Sequence, residues 1–227
     1  AGKSTLAKVL AGQQPLTSGE CRLDGRPYAS FGTREFSRRV AYLPQSIPLT
    51  NGLTVGEVVA MGRYPWHGAL GRFSQEDRAA VDQALRITGT SAIADRLTDT
   101  LSGGERQRCW IAMLLAQQAD VLVLDEPVSA LDIRYQIETM DLIHRISRER
   151  RVSILVILHD INLTARYCDE VVALKNGRVA WAGKSVDLID PAVLEPIYDT
   201  PMEVFSAGAS DGRFAFASPT VGDLPHD

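Results

Sequence analysis

The sequence predicts an α/β protein with a parallel sheet, and three stretches carry that prediction. The run V-L-V-L-D-E-P, starting at Val121, is short, apolar and ends in acids, as a strand buried on both faces does. A second apolar run, V-S-I-L-V-I-L from Val152, follows a helical repeat of Ile133, Ile137, Met140 and Ile143. Strand, helix and strand in that order imply parallel pairing, with ligand at the carboxyl ends of the strands. The chain itself opens A-G-K-S-T and runs into Leu6, Val9 and Leu10, a glycine turn leading into a helix.

In chain order, the first helix opens at Gly2 and ends at Gly12. G-E-C-R-L-D-G-R reads as a short strand with an Asp24-Gly25 turn, and V-A-Y-L-P-Q as a strand stopped by Pro44 and Gln45, so the first third is expected to be strand-rich. From Thr54 to about Asp99 the pattern turns helical, as a separate lobe, with Ser74 as an N-cap. Within it, R-Y-P-W-H-G-A-L-G-R-F is expected to be a long loop because of Pro65, Gly68 and Gly71. A helix then runs from Ser102 through C-W-I-A-M-L-L-A-Q. After Asp160 come a helix, a strand V-V-A-L, a K-N-G-R turn and a strand V-A-W-A; the tail from Ser206 has no period, and there is no internal repeat.

The 227 residues, 45% hydrophobic and 23% charged, suffice for one large core or two modest ones. A formal charge of -4 disfavours a general nucleic-acid binder. Cys21, Cys109 and Cys168 have no metal-type spacing and suit a reducing compartment. No apolar run approaches the roughly 20 residues of a membrane helix, so the chain is expected to be soluble, and its start carries no secretory signal pattern.

Phosphate loops work because backbone N–H groups and a helix N-terminus face the anion, a lysine reaches the terminal phosphates and a hydroxyl holds Mg²⁺. Gly2, Lys3, Ser4 and Thr5 match the second half of G-x-x-x-x-G-K-[ST]; the chain does not contain the motif's first glycine. Asp125 and Glu126, at the end of a buried strand, suit a metal carboxylate and a neighbour that orients or deprotonates water; adjacent acids at a strand end also make a solvated turn. In L-S-G-G-E-R-Q, Ser102 and Glu105 have capping-box spacing. A capping box does not need Gly103 and Gly104, which let phosphate approach the backbone. This second anion-binding helix start could face the first across two copies of the chain.

On these residues the sequence resembles the ATP-binding subunit of ABC transporters over nearly its whole length. A-G-K-S-T looks like the end of Walker A, V-L-V-L-D-E like Walker B, and L-S-G-G-E-R-Q like the family signature. Gln45 in Y-L-P-Q looks like the Q-loop glutamine, S-A-L-D ending at Asp132 like the D-loop, and His159 in V-I-L-H-D like the switch histidine. The resemblance implies a P-loop NTPase core of the ABC type with a parallel sheet, an antiparallel β portion and a helical signature subdomain. It implies one domain over 1–205, the helical part inserted at about 50–118, and a tail over 206–227. It also implies that the chain lacks the family's first strands, the front of the phosphate loop and an adenine-stacking aromatic.

As implied, the cofactors are ATP and Mg²⁺, and a homodimer encloses ATP between Gly2, Lys3, Ser4 and Thr5 of one subunit and Ser102, Gly103 and Gly104 of the other. Asp132 crosses the interface, Ser4, Gln45 and Asp125 serve the metal, and Glu126, His159 and Gln45 serve catalysis. Two residues depart from the commonest pattern: Glu105 stands for a glutamine and Val128 for a threonine. His67, His144 and His226 read as surface or packing residues, and Trp66, Trp110 and Trp181 as packing.

M-G-R-Y-P-W-H-G-A-L-G-R-F, S-G-G-E-R-Q-R-C-W-I-A-M-L-L-A-Q and H-D-I-N-L-T-A-R-Y-C-D resemble ATPases of bacterial iron(III)-siderophore importers, the ferric hydroxamate (ferrichrome-type) subgroup in particular. The resemblance implies a peripheral subunit at the cytoplasmic face of the inner membrane, with a two-copy permease docking near Gln45 and Ile47 to Val55 and a periplasmic siderophore-binding protein as indirect partner. No nucleic-acid partner is expected. Cobalamin and haem importers are near relatives; a non-transport ATPase acting on nucleic acid and a module without turnover are the readings from other classes.

Overall fold

A computed structural model of the chain describes residues 2–47, 50–68, 71–206 and 212–218. The chain divides into two compact units, Ser4–Ile157 and Ala1–Lys3 with Leu158–Asp227.

Helix α1 (Lys3–Leu10), which lies in the first unit from Ser4 on, is followed there by the hairpin β1 (Arg22–Leu23) and β2 (Arg26–Pro27). Asp24 and Gly25 both have positive φ, as an Asp-Gly hairpin turn requires. The expected strand-rich first third is corrected by helix α2 (Thr33–Arg39), which precedes strand β3 (Val40–Leu43). T-R-E-F-S-R-R has only one large apolar residue, Phe36, so no period announces the helix; Glu35 in its first turn and Arg38 and Arg39 in its last suit the helix dipole.

Helices α3 (Val55–Met61), α4 (Tyr64–His67) and α5 (Gln75–Thr88) come next. The segment expected to be a long loop thus holds the short helix α4: Pro65 stands in its first turn, where no intrahelical N–H is required, and Gly68 ends it. Capping boxes at Thr54 and Ser74 start α3 and α5. Helix α6 (Gly103–Ala116) packs on both α3 and α5, and its Cys109, Ile111 and Leu114 are fully buried.

Strand β4 (Val121–Asp125), helix α7 (Ile133–Arg150) and strand β5 (Ser153–Ile157) complete the unit. The sheet order is β3-β4-β5, all parallel, with Leu43 opposite Leu124 and Asp125 opposite Ile157. The carboxyl ends therefore lie along one edge. Against the sheet, Ala7 of α1 and Ala11 just past its end pack with Val40, Val123 and Ile157.

A buried ion pair ties the helices to one another. Arg63 donates from Nε to Asp77 at 2.7 Å and from Nη1 to the Ala116 carbonyl at 2.8 Å and to Gln118 at 2.7 Å. Arg38 and Arg63 each lie 4.8 Å from the centre of the Trp66 ring. The Trp66 indole N–H donates to the Gln117 carbonyl at 2.7 Å, and the Gln117 amide to the Val40 carbonyl at 3.2 Å. The C-terminal end of α6 is thereby fixed to the start of β3.

The second unit contains helix α8 (Ile161–Tyr167), the hairpin β6 (Glu170–Lys175) and β7 (Arg178–Lys184), helix α9 (Pro191–Tyr198), and the hairpin β8 (Met202–Ser206) and β9 (Arg213–Ala217). Its core is Leu188, Ile189, Leu194, Met202 and Ala215, with Trp181 against it. The segment from Ser206, expected to lack a period, contributes β9: R-F-A-F-A alternates, placing Ala215 in the core and Phe214 and Phe216 on the exposed face. Residues 207–211 and 219–227 of that tail, His226 among them, lie outside the described residues, as do Pro48 and Leu49 of the expected docking stretch.

Candidate functional site

The parallel register assembles the first cluster. Tyr42 of β3 stands opposite Val123 of β4, and the two-residue period of a strand puts Asp125 on the same face as Val123. The phenol of Tyr42 donates to Asp125 Oδ2 at 3.3 Å, while Ser4, on the first turn of α1, donates to Asp125 Oδ1 at 3.1 Å. Asp125 is only 1% exposed. Burial, then the charge of Asp125, raises the Tyr42 pKa to about 12, so the phenol remains a donor.

Gly2 precedes the helix with φ of +89°, a conformation strained for any other residue. Lys3 and Ser4 then form the start of α1. A serine hydroxyl that donates to a carboxylate keeps lone pairs for a cation, and oxygen donors suit a hard divalent ion. The residues present thus fit Mg²⁺ at this place.

Glu126 lies one residue beyond β4, before Pro127, with φ of +52°. A non-glycine residue in that region costs about 1–3 kcal/mol and is retained where the surroundings dictate it. Here Ser129 donates from its backbone N–H, at 3.3 Å, and from its hydroxyl, at 3.2 Å, to the Glu126 carbonyl. Gln45, just past the end of β3, donates its side-chain N–H to Glu126 Oε2 at 2.7 Å.

The second cluster is at the start of α6. Ser102 accepts from the Glu105 backbone N–H at 3.3 Å, and Glu105 accepts from the Ser102 backbone N–H at 2.9 Å and from its hydroxyl at 3.0 Å. Arg96 donates to Glu105 at 2.9 Å. The Ser102 backbone contact, then its hydroxyl and Arg96, hold the Glu105 carboxyl below the usual range. The unusual Glu105 is therefore turned back onto the cap and paired with a cation.

Gly104 is buried for a reason absent from the sequence expectation. A Cβ built on it would stand 2.5 Å from Cδ1 of Tyr135, whereas one on Gly103 would meet Leu131 at an ordinary 3.6 Å. Asp132 is the N-cap of α7, accepting from the Tyr135 backbone N–H at 3.3 Å. One turn along, Glu138 accepts from Arg108 of α6 at 2.5 Å and from Arg134 at 2.9 Å. The Gln107 amide nitrogen, on the same part of α6, is buried without a hydrogen-bond partner among the described residues.

His159, two residues past β5, belongs to the second unit, where Asp160 caps α8 by accepting from the Leu163 N–H at 2.8 Å. Trp110 is buried, and His67 packs between Tyr64 and Phe73. Among the described residues no helix is long and apolar enough to cross a membrane. Neither Tyr42 nor Tyr135 was anticipated as a site residue; only strand register and helix packing bring them there.

A family model described as ABC transporter matches residues 1–129. The chain belongs to the ABC transporter family. The hemin import ATP-binding protein HmuV of Streptomyces coelicolor (strain ATCC BAA-471 / A3(2) / M145) is 43% identical over 208 residues, 90% of this chain and 72% of that protein. The iron(3+)-hydroxamate import ATP-binding protein FhuC of Bacillus subtilis (strain 168) is 37% identical over 203 residues, 89% of this chain and 76% of that protein. Among solved structures, the ATP-binding cassette MJ0796, a dimer in a post-hydrolysis state with ADP and Pi, matches with a TM-score of 0.68 and 26% identity over 81% of each chain. As an ATP-binding subunit of this family the chain is an ATPase, converting ATP and water to ADP and phosphate.

Proposed function

We propose that this subunit powers import of a ferric siderophore, of the hydroxamate type, across the bacterial inner membrane. The observation that carries the ATPase part is the paired contacts at the carboxyl edge of the sheet, Ser4 with Asp125 and Gln45 with Glu126; the cargo rests on the likeness to import ATPases. Gly2, Lys3, Ser4 and Thr5 hold the phosphates of ATP, with the Lys3 ammonium on the terminal groups. Mg²⁺ bound with the nucleotide would neutralise charge on its β- and γ-phosphates, held by Ser4 and Asp125 with Gln45 beside them. Tyr42 keeps Asp125 oriented. Glu126 takes a proton from the attacking water, and Gln45 fixes that carboxylate while linking the sheet edge to the helical part. His159 contacts the γ-phosphate.

Ser102, Gly103 and Gly104 serve a nucleotide held by a second copy, and Asp132 crosses to that copy; the dimeric state of the MJ0796 cassette supports this arrangement. A two-copy permease, near Gln45, and a periplasmic binding protein complete the machine, placing this subunit at the cytoplasmic face. One continuous domain over 1–205, with a helical insertion at about 50–118, is part of the same proposal. The likeness to the FhuC protein supports the hydroxamate cargo.

The test is uptake of radiolabelled ferric hydroxamate by cells lacking the gene and complemented with it. Restored uptake supports the cargo. The likeness to the HmuV protein favours hemin as the second reading, and growth on hemin restored without siderophore uptake would select it.

A further inference from the structure

We propose that Tyr135 is a positioning residue that locks the signature turn to the segment around Asp132, so that one chain presents both to its partner as a single rigid edge. The inference rests on the head-to-tail dimer proposed above.

Three observations carry it. The Tyr135 ring occupies the place of the side chain that Gly104 lacks, with a Cβ there meeting Cδ1, Cε1 and Cγ at 2.5, 2.9 and 3.0 Å. Contacts under 3.0 Å oblige something to move, and both neighbours are tied: Gly104 is in the first turn of α6, and the Tyr135 backbone is held by the Asp132 cap. The Arg108, Glu138 and Arg134 bridge then repeats the tie one helical turn further on. The edge so formed is open, since Ile133, between Asp132 and Tyr135, is 79% exposed.

The second signature glycine is thus required by packing within its own chain. Phosphate approach alone would demand a bare backbone at both glycines. The structure demands it at Gly104, with ordinary room at Gly103.

The experiment measures Mg-ATP-driven dimerisation by light scattering in a Glu126→Gln parent. Gly104→Ala is expected to weaken association roughly tenfold or more, as overpacking does. Tyr135→Phe, which keeps the ring, should match the parent. In a Tyr135→Ala background, Gly104→Ala should cost little further, the non-additivity of two residues sharing one space. If Gly104→Ala alone does not fold, recovery of folded protein in the double variant reads the same clash. An equal loss from Gly104→Ala with and without the ring overturns the inference and leaves the dimer standing. A parent that stays monomeric in Mg-ATP overturns the dimer reading itself, and this inference with it.

Discussion

Gln45 donates its side-chain N–H to the carboxylate of Glu126 at 2.7 Å, across the gap between the ends of two neighbouring parallel strands. Each residue leaves its strand at the same edge, so the contact follows from register. The carboxylate that would take a proton from water is thereby held by a group that cannot itself accept that proton.

Glu126→Gln should retain ATP binding and lose about 10²- to 10⁴-fold in turnover, the usual contribution of a general base. Phosphate release at saturating Mg-ATP, with nucleotide binding measured in parallel, checks this; wild-type turnover would remove Glu126 from the chemistry.

For Ser4→Ala, the fold should lose only about 1 kcal/mol, the net value of one hydrogen bond. ATP affinity should drop at least roughly tenfold when Mg²⁺ is present, yet scarcely when it is chelated, because the hydroxyl serves the ion. Calorimetric titrations with and without chelator separate the two; equal losses would refute the metal role.

The Arg63–Asp77 pair makes a pH-dependent contribution. Burial pushes the Asp77 carboxyl up, but the Ser74 backbone N–H, Arg63 and the Ser74 hydroxyl outweigh it and bring the pKa from 3.8 to about 2. A depressed folded-state pKa means stability that is present above 3.8 and lost as pH falls toward about 2. Asp77→Ala should cost about 3–5 kcal/mol near neutrality, since it strands a buried guanidinium. In denaturant titrations its deficit should shrink across that acid window; a constant deficit would contradict the assignment.

Glu105→Gln keeps an acceptor for the Ser102 cap but removes a negative charge from a helix start. Helix stability should fall by about 0.3–1 kcal/mol. ATP-driven association should tighten severalfold, because the charge no longer opposes phosphate at Ser102. Sedimentation in the Glu126→Gln background decides it, and weaker association would show that the carboxylate is not an opposing charge.

Replacing Gln107 by Leu removes a buried donor that has no acceptor among the described residues. The melting midpoint should rise, with a gain of about 1–3 kcal/mol, the cost of an unsatisfied buried polar group. A lower midpoint would mean that the amide is satisfied through its oxygen or through water.

Much of this molecule is local chemistry and could be read along the chain. Apolar runs announced β4 and β5, the Asp24-Gly25 and Asn176-Gly177 pairs announced two hairpins, and Ser74 and Ser102 announced helix starts, because caps, turns and periods involve residues a few positions apart. Helices α2 and α9 were silent for the same reason inverted: one carries a single large apolar residue, and the other holds Pro196 inside it. The candidate site residues stood out as motifs, but their partners did not. That Tyr42 reaches Asp125, that Gln45 holds Glu126, and that Tyr135 fills the space at Gly104 depend on which strands pair and in what register, and on how closely α6 approaches α7. Those are properties of packing between segments distant in sequence, decided only when the chain has folded.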